Sequence, residues 1–493
     1  MICRVRERRV AGPVQYWVAV ALAGLALVSL AADPDPKPKA KPAKPANLTD
    51  AINTVLARAP LKGIEVGVHV VRLSDGKTLF SRQSEKQFVP ASNQKLLTTA
   101  AALDALGPDY EFRTTIGTAG RDLVVVGGGD PTISGRFADG DPTEYFRRWA
   151  KVLKSKQLTR FAGDLVLDDS FFDRQLVHPN WPKKDLGRWY AAPIGALALN
   201  DDCVDVRVAP GPELDKPGVI TLIPATRIFS IDNRTRTVAS LKDHAPRVDR
   251  RPGNSVIQCD GAVFRRAGLI TSWVTVDDPT AYFGAVLREV LAEEGVTIAG
   301  TVRRSPGIAR SGDFQARLVH RFRLTSALAA TNKESQNFYA EQILKTMGAE
   351  RGDGSWPGGR RVATESLTRI GLDPESFTLD DGCGLSRENR VSPRAITTLL
   401  VAMHRGRHGE LFRESLSVAG SDGTLARRLT DESTRGRIFA KTGSITGVRA
   451  ISGYAQTRSG EWLAFSFLAN NVKLSIREIQ DDLCKVLIDA ADR

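Results

Sequence analysis

Residues Pro90 to Leu103 read PASNQKLLTTAAAL. Small and apolar side chains fill nearly every turn after the first, the pattern of a helix buried on all sides. Its opening turn nevertheless carries Ser92 and Lys95, three residues apart. Positions three apart share a helix face, so the amine can approach the hydroxyl. The first-turn amides also aim a positive dipole at charge developing beside the serine. Such a serine is activated without histidine, provided that the lysine is neutral part of the time, which burial and a second nearby cation favour. Taken alone, a Ser-x-x-Lys pair arises by chance about once in a chain of this length, and the competing reading is a helix cap followed by a surface lysine.

Partners elsewhere in the chain decide between the two. KESQNFYAE sets Ser335 and Asn337 at the start or inside of a helix, and FAKTGSITG sets Lys441, Thr442 and Gly443 at the end of a strand. SxxK, SxN and KTG in that order are the signature of serine penicillin-recognising enzymes. The roles are physically consistent. Ser335 and Asn337 on one loop can hand a proton to a leaving amine and hold a substrate amide. Lys441 supplies the second cation expected to depress Lys95, and with Thr442 and Ser444 it can bind a terminal carboxylate. Gly443 lets the strand pass close to the acyl group, and the backbone amides of Ser92 and Ser444 are the expected oxyanion hole. There is no G-x-S-x-G elbow, and His178, His320 and His404 stand in no nucleophile context. No metal-ligand spacing and no cofactor motif is present.

The surrounding chain alternates in character. From Thr49, read as an N-cap, DAINTVLARA has helical periodicity, and GIEVGVHVVRL and KTLFSR flank a Ser74-Asp75-Gly76 turn. After the Ser92 helix, short strands and turns continue to about Val276. From about Thr325 the chain reads helical through SALAATNKESQNFYAEQILKTMGA and SPRAITTLLVAMHRG, then closes with RGRIFAKTG, VRAISGYAQT and EWLAFSFLAN as strands before a terminal helix. An N-terminal helix and hairpin with C-terminal antiparallel strands complete one sheet, so the expected class is α+β, one domain split by a β-rich insertion. The expected divisions are 48–112 and 311–493 for the split domain and 113–310 for the insertion.

Ahead of these stands a basic segment with Arg4, Arg6, Arg8 and Arg9, then WVAVALAGLALVSLA ending in small residues. This is the order of an export signal, residues 1–31, cleaved after Ala31; an uncleaved membrane anchor is the alternative. Alternating Pro and Lys in DPDPKPKAKPAKPAN make residues 32–47 an extended tether. The net charge of +13 lies partly in these segments, and the remainder suits an anionic envelope, with peripheral association to membrane or wall. Nucleic acid is excluded as a partner by the absence of any binding motif. Of the 5 cysteines, Cys3 leaves with the signal. Cys203, Cys259, Cys383 and Cys484 are either disulfide-forming, with Cys203 and Cys259 the first candidate pair, or buried free thiols.

With its three motifs the chain resembles the low-molecular-mass class C penicillin-binding proteins, the D-alanyl-D-alanine carboxypeptidase/endopeptidase family. The resemblance also includes GGGDPTIS, GDLVLDDSFFD, WYAAPIGALALNDDCV, DGCGLSRENRVSP and AGSDGTLARRL. The long interval from Ser92 to Ser335 matches a family that inserts two small β-rich domains there. Gln336 is the variable residue of SxN, and Cys383 stands where the family pattern has serine.

The resemblance implies a β-lactamase/transpeptidase-like domain in the periplasm or cell envelope, with peptidoglycan stem peptides as substrate and β-lactams as inhibitors. Ser92 is then acylated, Lys95 is the general base, Ser335 relays the proton, and no cofactor is needed. Asp168 is expected either to reach the site and meet the substrate's free amine or to face solvent, and Asp130 to fix a turn. A β-lactamase and a non-catalytic penicillin sensor or scaffold are the competing functions.

Overall fold

The computed structural model describes residues 47–58 and 61–490. The export signal and nearly all of the tether lie outside the described residues. The first helix, Leu48–Leu56, is capped by Asn47, whose side chain accepts from the amide of Asp50 at 2.9 Å. Thr49, read as the cap, lies inside the helix, and Asn47, itself a preferred capping residue, takes that place.

A six-stranded antiparallel sheet organises both ends of the chain, in the order Thr78–Arg82, Glu65–Arg72, Trp462–Asn470, Val448–Gln456, Ile438–Ile445 and Ser417–Val418. The join is the pairing of Glu65–Arg72 with Trp462–Asn470, which runs from Glu65 opposite Asn470 to Arg72 opposite Leu463. Strand alternation divides the side chains between two layers. Val66, Val68, Val70, Phe465 and Phe467 pack on one face against the helices Leu48–Leu56 and Arg477–Ile488. Ala450, Tyr454, Ala464 and Leu468 pack on the other, against Gln94–Ala105, Asn337–Ala349, Trp356–Ile370 and Pro393–Arg405. Burial on both faces is why these strands read as nearly continuous apolar runs. The α+β class is as expected.

The interval between Ala105 and Leu324 builds separate sheets. Five strands run in the order Val302–Arg304, Leu165–Asp168, Asp122–Val126, Glu111–Ala119 and Phe314–Arg323, with Glu144–Ser155 and Pro279–Glu293 packed against them. Smaller three-stranded sheets, including Cys203–Ala209 with Val219–Ile223 and Ile270–Thr275, surround a second apolar cluster. The expected edges at 113 and 310 move outward. Glu111 pairs with Arg323 and Phe314 with Ala119, so residues 111–323 share this second set of sheets. Of the two readings of the cysteines, buried free thiols is the one seen. Cys203 and Cys259 are free, as are Cys383 and Cys484, and each is buried as a small apolar side chain.

The inserted segment docks along one helix. From Asn337–Ala349, the Asn337 amide donates to the carbonyl of Tyr190 at 2.7 Å and the Tyr339 hydroxyl to Asp201 at 2.9 Å. Gln342 donates to the carbonyl of Gly195 at 3.0 Å, and Lys345 to Asp173 at 2.6 Å. The segment from Asp173 to Asp201 is thereby held against the helix that carries the SxN motif.

Candidate active site

The helical reading through Thr325 to Ala349 is interrupted where it matters. Leu324–Lys333 and Asn337–Ala349 are separate helices, and Ser335 between them has φ +62°. Ala91, immediately before Ser92, is also left-handed at φ +48°. Each such non-glycine residue costs on the order of 1–3 kcal/mol and persists where its surroundings over-determine it. For Ala91 the constraint is visible. It is fully buried, and Gly384 lies so close that a β-carbon there would stand 1.8 Å from the Ala91 carbonyl oxygen.

Ser92 sits in a short 3₁₀ turn, Ala91–Asn93, that leads into Gln94–Ala105. Asn93 does not cap the helix. Its amide donates to the carbonyl of Lys441 at 2.8 Å, pinning the helix start to the strand Ile438–Ile445. On that strand a β-carbon at Gly443 would meet the Pro90 oxygen at 2.9 Å and the Ser92 nitrogen at 3.2 Å, so glycine permits the close approach.

The three motifs converge. Lys95, wholly buried, has its Nζ 3.0 Å from Ser92 Oγ, 2.6 Å from Asn337 Oδ1 and 2.8 Å from the carbonyl of Cys383. A neutral primary amine has two N–H groups and one lone pair. Asn337 and Cys383 offer only acceptors here, so in that form they take the two N–H groups and leave the lone pair for the Ser92 hydroxyl, whereas an ammonium would donate to all three. The Asn337 amide is oriented by its bond to Tyr190, which turns Oδ1 toward Lys95. Lys441, also buried, donates to Ser335 Oγ at 2.8 Å and to the carbonyl of Thr442 at 2.8 Å.

Burial holds the Lys95 amine below the ordinary lysine value, while Cys383, Asp381 and Glu341 pull it the other way. Lys441 is pushed well below its ordinary value, first by burial and then by the charge of Lys95. Burial is the leading cause at both lysines, and the repulsion between the two cations is mutual.

Ser92, Ser335, Asn337 and Ser444 line a cleft of about 380 Å³, together with Trp189, Tyr190, Gly384, Leu385 and Arg387. Thr442 lies at its side, its hydroxyl donating to that of Thr424 at 2.9 Å. Asp168 is elsewhere. Its carboxylate is buried and accepts from the amides of Ser170 (3.1 Å), Gly307 (2.9 Å) and Ala309 (3.3 Å), in the lining of a separate cavity. Both readings of Asp168 are corrected, because three backbone donors fix it inside the insertion. Asp130 does fix a turn, accepting from the amide and hydroxyl of Thr132 at 2.8 and 2.6 Å.

The site residues not anticipated are carbonyls and loop hydroxyls. The carbonyls of Cys383 and Tyr190 and the hydroxyl of Thr424 lie within DGCGLSRENRVSP, WYAAPIGALALNDDCV and AGSDGTLARRL. Those stretches stood out as resemblance, but no side-chain chemistry marks a carbonyl in sequence. Among the described residues, Glu341, Asp381 and Cys383 are close enough to hold a metal. Their carboxylate oxygens are already engaged: Glu341 accepts from Cys383 and Trp356, and Asp381 from Gly384, Ser386, Trp181 and Asn389.

A family model, D-Ala-D-Ala carboxypeptidase 3 (S13), matches residues 48–488. The chain belongs to this family. This S13 protein, a serine-type peptidase, is 34% identical to the D-alanyl-D-alanine carboxypeptidase of Actinomadura sp. (strain R39), over 86% of this chain and 81% of the relative. It is 25% identical to the D-alanyl-D-alanine carboxypeptidase DacB of Haemophilus influenzae, over 82% and 85% of the two chains. Its fold matches the crystal structure of penicillin binding protein 4 from Haemophilus influenzae with a TM-score of 0.74 at 22% identity, covering 89% of this chain and 98% of the other. That protein complexed with a β-lactam matches with a TM-score of 0.70 at 21% identity and the same coverage. The S13 assignment agrees with the class C resemblance carried by the three motifs.

Proposed function

We propose that the protein is a D-alanyl-D-alanine carboxypeptidase/endopeptidase that trims or opens cross-links in peptidoglycan through an acyl-enzyme on Ser92, and that it binds β-lactams at the same serine. The observation that carries this reading is the set of three contacts at Lys95, among which the Ser92 hydroxyl is the one partner with a proton to give. Neutral Lys95 takes the Ser92 proton as Oγ attacks the penultimate D-Ala carbonyl carbon, and the Ser92 and Ser444 amides receive the oxyanion. Ser335, held by Lys441, passes a proton to the departing D-Ala or cross-bridge amine, and water then releases the acyl group. Lys441, Thr442 and Ser444 take the substrate's carboxylate, and Asn337 its amide.

Residues 48–110 and 324–490 are read as the transpeptidase-like domain and 111–323 as the insertion. The intact protein acts outside the cytoplasm, in the periplasm or envelope, through the signal read at its N-terminus. Mass-spectrometric analysis of muropeptides digested by wild type and by Ser92→Ala tests the reading. Release of D-Ala or of monomers by wild type alone is expected, and undiminished cleavage by the variant overturns it.

A further inference from the structure

The helix Asn337–Ala349 supports Lys95 twice. Asn337 bonds the amine directly, and Glu341 lies four residues on, on the same face. Glu341 is completely buried. One of its oxygens accepts from the backbone amide of Cys383 at 2.7 Å, and the other from the indole N–H of Trp356 at 2.7 Å. The carbonyl of that same Cys383 accepts from Lys95 Nζ at 2.8 Å. Trp356 is itself buried, with the Lys345 ammonium 4.4 Å from its ring centroid, so the far oxygen of Glu341 is clamped.

We propose that Glu341 is a positioning residue for Lys95: by holding the Cys383 amide it fixes the backbone on the N-terminal side of Cys383, and with it the direction of the Cys383 carbonyl that takes one amine N–H, so that the amine's lone pair faces Ser92. The proposal rests on the reading of Lys95 as general base. The turn carrying Cys383 has no slack in its position, since Gly384 abuts Ala91. It is also tied at Asp381, which accepts from the amides of Gly384 and Ser386, each at 2.7 Å. The Gly384 amide shares its peptide plane with the Cys383 carbonyl, so Asp381 holds that plane, while Glu341 holds the preceding plane through the Cys383 amide and ties it to the SxN helix. Without Glu341, the Cys383 amide is left buried and unpaired, the backbone there is held only through the Gly382 carbonyl by Thr98 and through the Gly384 amide by Asp381, and the carbonyl that receives the amine N–H can shift. Asn337 then remains as the more firmly held acceptor, and the amine can turn an N–H toward Ser92.

Saturation kinetics of acylation by a fluorescent penicillin separate the non-covalent dissociation constant from the acylation rate constant. E341A is expected to lower the acylation rate constant about 10–100-fold, the scale of a small misplacement of a reacting group, with the dissociation constant unchanged within about threefold. E341Q keeps an acceptor for the Cys383 amide and is expected to recover about tenfold of that loss. If E341A does not fold, W356F, which releases the far oxygen, is expected to lower the acylation rate constant about threefold or more. A folded E341A that acylates like wild type, a loss confined to the dissociation constant, or, where E341A is unfolded, a W356F that acylates like wild type overturns the proposal. Wild type that takes no label at Ser92 counts against the functional reading instead, so the two failures are distinguishable.

Discussion

Lys95 Nζ stands 3.0 Å from Ser92 Oγ with both of its other contacts, Asn337 Oδ1 and the Cys383 carbonyl, made to acceptors. An ammonium would donate to all three, whereas the neutral amine donates to Asn337 and Cys383 and keeps its lone pair for the Ser92 hydroxyl. Lys95→Met is expected to slow acylation of Ser92 about 10²–10⁴-fold, the usual worth of a general base, as measured by stopped-flow labelling with a fluorescent penicillin. Retention of the wild-type rate would remove Lys95 from the base role.

The depressed Lys95 amine sets a pH dependence. Only the neutral form has a lone pair, so acylation falls as pH drops through the Lys95 value, and burial extends activity to lower pH than an exposed lysine allows. Asn337→Asp sets a carboxylate against the amine, which favours the ammonium and raises that value. The acid limb of the acylation rate is therefore expected to move to higher pH in this variant. An unmoved or acid-shifted limb contradicts the assignment of that limb to Lys95.

Gly384 combines φ +86° with the closest approach in the site, a would-be β-carbon 1.8 Å from the Ala91 oxygen. Gly384→Ala is expected to lose at least about 1–3 kcal/mol of stability from backbone strain alone, and to slow acylation by displacing Ala91 and with it Ser92. Denaturant unfolding and labelling kinetics check both. A variant as stable and as fast as wild type would show that the turn is not held against the serine.

Most of this site was legible because its chemistry sits in side chains with fixed spacing. Ser92 and Lys95 share a helix face and Asn337 opens a helix, but Ser335 falls in the turn between two helices and Lys441 inside its strand, not at its end. The sheet was legible too, because GIEVGVHVV and EWLAFSFLAN are buried on both faces and read as apolar runs. Asp168 was misread because a carboxylate that three backbone amides will surround looks in sequence like any other. The carbonyls of Cys383 and Tyr190 were invisible for the complementary reason: every residue has one, and only the fold aims these two at the site. The insertion's edges slipped outward because Phe314–Arg323 alternates weakly and reveals its partner only through pairing with Glu111–Ala119.

The cysteines give an independent check on packing. Burial, Asp381 and Glu341 push the Cys383 thiol well above its ordinary value, and burial raises Cys259 to about 11 and Cys484 to about 12. Native protein at pH 8 is expected to leave Cys203, Cys259, Cys383 and Cys484 unalkylated by iodoacetamide, whereas denatured, unreduced protein labels all four. Peptide mass spectrometry reads the outcome, and a denatured sample in which Cys203 and Cys259 stay unlabelled until reduced would reveal a disulfide.

The central claim is that Ser92 is the nucleophile, and the most direct measurement is the site of the covalent adduct. Purified protein is incubated with benzylpenicillin, digested and sequenced by tandem mass spectrometry. One penicilloyl group is expected on the peptide containing PASNQK, localised to Ser92, and no adduct in Ser92→Ala. An adduct on Ser335 or Ser444, or one that persists in Ser92→Ala, would contradict that claim.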